Sequence, residues 1–454
     1  VRVPVVEPGA RGPREHVEHD DIGGAGLSRP LLLFLGPVLP YPPDRGAALQ
    51  NYHVIRNLSD HYDLNMLLFN PRGDPSRMPL ETRVAHLREF GSVEVFDVPG
   101  ERSGIRRRLG QFGSLFLGKS EVSSRYDSRD FRRRILEQVF ERDPRLVHVD
   151  GMALLGHLPL LAGRRVVVAH ARVESEDLRQ RAALSGGIEA GYLNRQALWM
   201  RQAERKWLPR VTANLVTTPF DRTLMAERAP GARIEVMPAA VDTSYFAPAP
   251  STGHGLAFVG GATAPANRDA LTYFAQEILP RLRRQSGVQA LEPISWVGSA
   301  RDGDRERFRE IGIDITGYVK DVRPIVRPAA CYVVPRRMAG GGTGVLQAWA
   351  MGKAVVSTTV GCEGVEAVDG VNILIRDDPD SFARAVLDVL GDRELRQELG
   401  RSARATVEER YSWESTGPRL TALYEALEVG TPMRGGASGL SAPHVPPPRA
   451  GSVS

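Results

Sequence analysis

Gly340-Gly341-Gly342-Thr343-Gly344 separates an apolar strand ending at Pro335 from a short helix that closes near Gly352. Strand, glycine turn and helix N-terminus together make an anion site. Glycines let the backbone approach a phosphate, and the first helical turn offers unpaired N–H groups and the positive end of the helix dipole. Arg336 and Arg337, at the strand's end above the loop, are placed to add a cation. The spacing is neither a Walker A loop nor a GxGxxG fingerprint. The same pattern also suits a tight strand-to-helix turn that holds nothing.

The elements that must position this loop alternate along the chain. Apolar runs read as strands at Leu31–Leu35, Leu64–Phe69, Val93–Val98, Leu146–Val149, Val166–His170, Ala213–Thr217 and Ile234–Met237. A second set follows at Leu256–Val259, Ile294–Val297, Ile313–Ile315, Cys331–Val334, Ala354–Ser357 and Asn372–Ile375. Near-continuous apolar strands between helical patterns imply parallel sheets covered on both faces. After Val259, Leu271, Phe274, Ile278 and Leu282 recur at helical spacing, with Asn267 as the expected N-cap. The Pro- and Gly-rich run from Ala247 to Gly253 divides the pattern into two halves of similar size. Two doubly wound halves place the carboxyl ends of both sheets, and the crevice between them, in position for a ligand.

Composition narrows the class. At 454 residues, with 42% hydrophobic and 25% charged residues, the chain suits a globular protein of two or three domains. The run PLLLFLGPVL is broken by Gly36 and Pro37 and reads as a buried strand, not a signal peptide. Residues 1–28 and 429–454 read as disordered tails. Cys331 and Cys362 lack metal-ligand spacing and are expected as buried thiols in a reducing cytoplasm. The net charge of +5 is carried almost wholly by arginine, with lysine only at 119, 206, 320 and 353. No aromatic-interleaved basic stripe points to nucleic acid. Arg106-Arg107-Arg108 with Phe112, Leu115 and Phe116 suits either a peripheral contact with anionic lipid or a surface helix.

Several motifs match a known family in order. They are PYPPDRG at 40–46, AHARVES at 169–175, VMPAAVDTSYF at 236–246, FVGG at 258–261, NRDALTYF at 267–274 and ITGYVKDVRP at 315–324. VVPRRMAGGGTG, LQAWAMGKAVVSTTVGCEGV and ERYSWE follow, at 333–344, 346–365 and 409–414. From about 29 to 428 the chain resembles retaining glycosyltransferases of family 4, which have the GT-B fold. The resemblance implies an α/β protein of two Rossmann-like domains facing a cleft. An acceptor domain would cover 29–246 and a nucleotide-sugar domain 247–413, with a helix at 414–428 crossing back to the first.

The same resemblance assigns roles. The donor would lie against Gly46, Gly260, Gly261, Tyr318, Val319, Arg336, Arg337, Gly341, Gly342, Thr343, Gly344 and Gln347. His170, at a strand end facing the cleft, would serve catalysis, and Glu174 would orient the acceptor. Each of these also has a structural reading: Gly46 as a helix-start turn, His170 as a core histidine, Glu174 as a solvated helix-start acid. No metal or cofactor is implied. The partners would be a nucleoside diphosphate sugar and an acceptor alcohol: a saccharide, a lipid-linked glycan or a small natural product. Family members carry two glutamates where this chain has Ala339 and Gln347, and a basic residue between the glycine loop and the second glutamate that is missing here. Three functions stay open: a cytoplasmic glycosyltransferase, a non-catalytic partner subunit, or an enzyme coupling a nucleotide-linked cyclitol to an amine. Gly342→Pro is expected to impose an unsuitable φ on the loop.

Overall fold

The computed structural model describes residues 29–43, 46–72, 78–99, 121–249, 253–285, 291–338 and 342–429. The basic stretch at 106–116, both tails, Ala339, Gly340 and Gly341 lie outside these residues. Each of the thirteen expected strands is present, within a few residues of its expected ends.

The first seven strands are β1 (Leu31–Gly36), β2 (Asp63–Asn70), β3 (Gly91–Asp97), β4 (Leu146–Asp150), β5 (Val166–His170), β6 (Ala213–Val216) and β7 (Ile234–Val236). They form one parallel sheet in the order β3-β2-β1-β4-β5-β6-β7. The next six are β8 (Leu256–Val259), β9 (Ile294–Val297), β10 (Ile313–Ile315), β11 (Cys331–Val334), β12 (Ala354–Ser357) and β13 (Leu374–Ile375). Their order is β10-β9-β8-β11-β12-β13, again parallel. The order reverses between β1 and β4 in one sheet and between β8 and β11 in the other, and each reversal opens a crevice at the strands' carboxyl ends. This is the α/β, two-domain GT-B architecture.

Five helices matter for the site: α1 (Gly46–Leu58), α2 (Glu174–Leu184), α3 (Pro265–Tyr273), α4 (Thr343–Ala350) and α5 (Trp413–Val429). α3 continues through a π-helical turn at Phe274–Ile278, and its Leu271, Phe274, Ile278 and Leu282 are buried as their spacing requires. Asn267, however, is not its cap. The helix begins at Pro265 after Ala264, because proline's fixed φ and missing N–H suit a first turn. Cys331 and Cys362 are buried free thiols.

Two crossings join the domains. Val241 N–H donates to the Tyr411 carbonyl at 2.8 Å, and Trp413 N–H donates to the Val241 carbonyl at 3.2 Å. α5 then seats Trp413, Leu420, Leu423, Tyr424 and Leu427 in the core of the first sheet, against Leu32, Phe34, Leu49 and Ile55. Burying a leucine side chain contributes about 1.5–3 kcal/mol, so this face suffices to hold the helix on the first domain. The helix also makes polar contacts there: Tyr424 Oη lies 2.5 Å from His148 Nδ1, and Thr416 Oγ1 3.1 Å from His53 Nε2. No described helix is long and apolar enough to cross a membrane.

Tyr424→Phe leaves the fully buried His148 Nδ1 without its partner. The expected loss is about 1–3 kcal/mol of stability, read as a lower urea midpoint at an unchanged m-value.

Candidate active site

At the crevice of the second sheet the strand ends are held rigidly. Gly260 and Gly261 follow β8. Trp296 Nε1–H donates to the Gly260 carbonyl at 3.0 Å, and its ring stacks on Phe258 with centroids 3.8 Å apart. A Cβ on Gly298, whose φ is +137°, would meet Gly261 Cα at 2.6 Å, so two glycine backbones lie in contact. The Tyr332 hydroxyl accepts from Val259 N–H at 3.1 Å, and a Cβ on Gly344 would sit 3.0 Å from it.

Asn267, expected as a cap, ties this turn to the neighbouring strand. Its Nδ2 donates to the Gly261 carbonyl at 3.1 Å, and its Oδ1 accepts from an Arg336 terminal nitrogen at 2.7 Å. Arg336 thus lies at the β8/β11 crevice. Burial pushes its basicity down; Tyr332 opposes this, and the charge of Arg172 adds a smaller lowering effect. Arg337 is directed elsewhere: it pairs with Asp269 through Nε at 3.1 Å and stacks over the Tyr273 ring at 4.7 Å, on the α3 side. Of the two arginines, Arg336 is the one at the crevice. Arg268 pairs with Asp304 at 3.3 Å.

α4 points its first turn at the same place. Val345, Leu346, Ala348, Trp349 and Ala350 are buried, whereas Thr343, Gly344 and Gln347 are half-buried. Gln347, three residues after Gly344 and four after Thr343, lies on the same side of the helix as each of them. Gln347's side-chain amide makes no hydrogen bond with any described residue. Gly342, just before α4, has φ −63°, which is proline's own value, so the expected φ conflict of Gly342→Pro does not arise. The constraint is space instead: a Cβ there would stand 2.6 Å from Val365 Cγ1. Tyr318 and Val319 are half-buried beyond β10, two strands from the crevice, and Gly317 before them takes φ +80°.

Across the cleft, the first domain brings His170, Asp150 and Glu174 to its own strand ends. Asn214 decides the histidine's tautomer. Its amide nitrogen donates to the Leu208 and Arg233 carbonyls at 3.0 and 3.2 Å, so its oxygen faces His170 Nε2 at 3.2 Å. Nε2 therefore carries the hydrogen and Nδ1 the lone pair. Burial pushes the His170 pKa down to about 4, only partly offset by the Asn214 bond, so the ring is neutral at pH 7.

Asp150 and His170 line one narrow cavity of about 60 Å³ with Asn51, Gln50 and Met237. Asn51 Nδ2 donates to Asp150 Oδ2 at 2.6 Å, yet burial still pushes the Asp150 pKa up to about 6. Glu174 opens α2 and is half-buried; burial, then the charges of Asp177 and Glu204, push its pKa up to about 7 against Arg172. Gly46 opens α1. No group of metal-ligating side chains is assembled among the described residues.

Three contributors escaped the sequence reading: Asp150, Arg172 and Asn267. Asp150 directly follows the expected strand Leu146–Val149, which the structure extends to it, and that position at a strand's carboxyl end was the available signal. Arg172 stands inside the AHARVES motif between the two residues chosen. Nothing local distinguishes Asn267 as a clamp, because one of its partners, Arg336, is distant in sequence.

With this geometry described, comparison with known proteins gives consistent matches. A model described as Glycosyltransferase Family 4 matches residues 86–245, and one described as Glycosyl transferases group 1 matches residues 253–392. An uncharacterized glycosyltransferase of Methanocaldococcus jannaschii is 29% identical over 109 residues, which are 24% of this chain and 31% of that protein. The chain thus spans about a third of the length of that curated relative. Among solved structures, a sucrose-phosphate synthase from Thermosynechococcus elongatus superposes with a TM-score of 0.64 at 13% identity, over 88% of this chain and 100% of that one. Anabaena HepE in complex with UDP-glucose gives 0.59 at 14% identity, over 88% and 100%. TarM gives 0.62 at 10% identity, over 88% and 99%. A glycosyltransferase model thus matches part of each half, and the chain has the GT-B fold.

The Asp150 carboxyl has a folded pKa near 6, above its ordinary 3.8. The folded state therefore holds the proton more tightly, and this contribution to stability is complete below pH 3.8 and is lost as pH rises through about 6. Asp150→Asn is expected to be more stable than the parent at pH 7 by on the order of 1–3 kcal/mol. The gap should close below pH 4, as measured by urea titrations of both proteins across that range.

Proposed function

We propose that this chain transfers a sugar from a nucleoside diphosphate sugar to an acceptor hydroxyl, with retention at the anomeric carbon. The observation that carries this reading is the convergence at one crevice of the α4 N-terminus, the Gly260–Gly261 turn and Arg336. Opposite them, on the other domain, stand His170, Asp150 and Glu174.

The chemistry follows from charge. Cleaving the sugar–phosphate bond leaves a diphosphate whose growing negative charge must be stabilised. Preorganised donors at a helix N-terminus do this without reorganising. In this reading the N–H groups of Gly342, Thr343 and Gly344 and the Arg336 guanidinium receive the diphosphate. Strands lie about 4.8 Å apart, so the loop at Tyr318 and Val319, two strands away, is within about 10 Å, which suits a base and ribose laid along the strand ends. HepE structures hold UDP and UDP-glucose, which supports a uridine nucleotide as the first donor to test. His170 Nδ1 and Glu174 are acceptors suited to orienting a hydroxyl. The attacking hydroxyl's proton would pass to the leaving phosphate oxygen on the same face, so no protein carboxylate on α4 is required.

Gln347 favours one second reading. A neutral side chain on the exposed face of α4, where the resembling family carries an acid, suits a chain that binds a nucleotide sugar without turning it over and acts as a partner subunit. Calorimetry with a panel of nucleotide sugars, followed by product mass analysis, separates the possibilities. Binding with a glycosylated hydroxyl product supports the transferase, binding without product supports the partner subunit, and an amine-linked cyclitol product assigns a different transfer on the same fold. No binding by any nucleotide sugar refutes the donor assignment.

Two variants probe the loop. Gly342→Ala pushes a methyl into Val365 and should weaken donor binding about tenfold, equivalent to 1.4 kcal/mol. Gln347→Glu adds a negative charge beside the diphosphate with no basic residue on α4 to offset it, so turnover should fall or stay level. A clear gain in turnover would show instead that the site has decayed from an acid-bearing ancestor.

A further inference from the structure

We infer that Arg172, on the first domain, is the second cation of the diphosphate subsite, reaching across the cleft to stand beside Arg336 of the second. The inference rests on the functional reading above. It supplies a residue for the role that the glycine loop and α4 leave unfilled, since no Lys or Arg occurs from Gly340 to Gly352.

The contacts bring Arg172 there step by step. Arg172 follows β5, and the carbonyl of its neighbour Ala171 accepts from Thr217 Oγ1 at 3.5 Å. The next residue, Thr218, touches the second domain: a Cβ on Gly364 would stand 2.5 Å from Thr218 Cγ2. Gly364 is flanked by Glu363 and Val365, the residues whose carbonyl oxygen and methyl group would meet a Cβ on Gly342, at 3.5 and 2.6 Å. The Arg172 loop and the first turn of α4 are therefore joined through one short run of contacts. Across that junction the Arg172 charge is felt at Arg336, whose basicity it lowers.

Other charges face the same junction. Terminal nitrogens of Arg172 donate to Asp177 at 2.7 Å and Gln180 at 3.1 Å, which fix the guanidinium on α2. Glu363 is pushed up by burial, then by Asp221, with Glu176 adding to this and Arg172 opposing it. Two guanidinium groups from opposite domains, on either side of a helix N-terminus, are complementary to a diphosphate, whose oxygens match the planar donor fork. A bound diphosphate would cancel the Arg172–Arg336 repulsion and bridge the two domains. Donor binding and cleft closure would then be one event.

The test is calorimetric titration of the full chain with UDP and with inorganic pyrophosphate, which carries the diphosphate without a base. Arg172→Gln should weaken both at least about tenfold, Arg172→Lys less, and the melting temperature should stay at the parent's. Arg281→Gln, on the far side of the second domain and paired with Asp380, should change neither affinity. Arg172→Gln that binds both probes within twofold of the parent overturns this inference and leaves the functional reading intact. Equal weakening by Arg281→Gln assigns the effect to general charge and also overturns it. A parent that binds neither probe overturns both readings.

Discussion

The short parallel ladder at Val241 is the constraint on which the rest depends. Two chain crossings meet there, with Val241 bonded to Tyr411 on one side and Trp413 on the other. Asp242 braces the first crossing by accepting from Ser244 and Tyr245 N–H, and Arg404 donates to the Thr243 and Phe246 carbonyls at 3.1 Å. The crossings thus belong to the second domain by their polar contacts and, through α5, to the first by apolar burial. Each parallel sheet gathers its loops at one edge. This tie keeps the start of α5 bonded to the second domain while the helix packs on the first.

The electrostatics follow from burial. Each crevice buries ionisable groups that would be cheaper in water: Arg336 in the second domain, Asp150, His170 and Glu174 in the first. Desolvation moves the arginine toward weaker basicity, the carboxyls toward holding protons and the histidine toward neutrality. Such shifts cost stability, and they gather where the two domains meet.

Much of the fold was legible because the alternation of apolar strands and helices is a local signal, strongest in parallel sheets buried on both faces. β8 and β11 read as continuous apolar runs, and the glycines at 260, 261, 342 and 344, read as donor contacts, are crowded in the fold by Asn267, Gly298, Val365 and Tyr332. The site was legible where a residue ends a predicted strand, as His170 does. It was not legible where the role depends on a partner far along the chain. Asn267 looked like a cap because its sequence neighbours are helical; its partners, Gly261 and Arg336, meet it only in the folded domain. Arg336 and Arg337 are adjacent and chemically identical, and only packing turns one to the crevice and the other to Asp269.

The sequence by itself determined the alternation of apolar strands with helices and the absence of a basic residue from Gly340 to Gly352, since both are written in local residue types and spacing. The tertiary structure alone decided which of the two adjacent arginines lies at the crevice and which nitrogen of His170 holds the lone pair. Those properties arise from contacts between residues tens of positions apart, and no local pattern encodes the distance between them once the chain has folded.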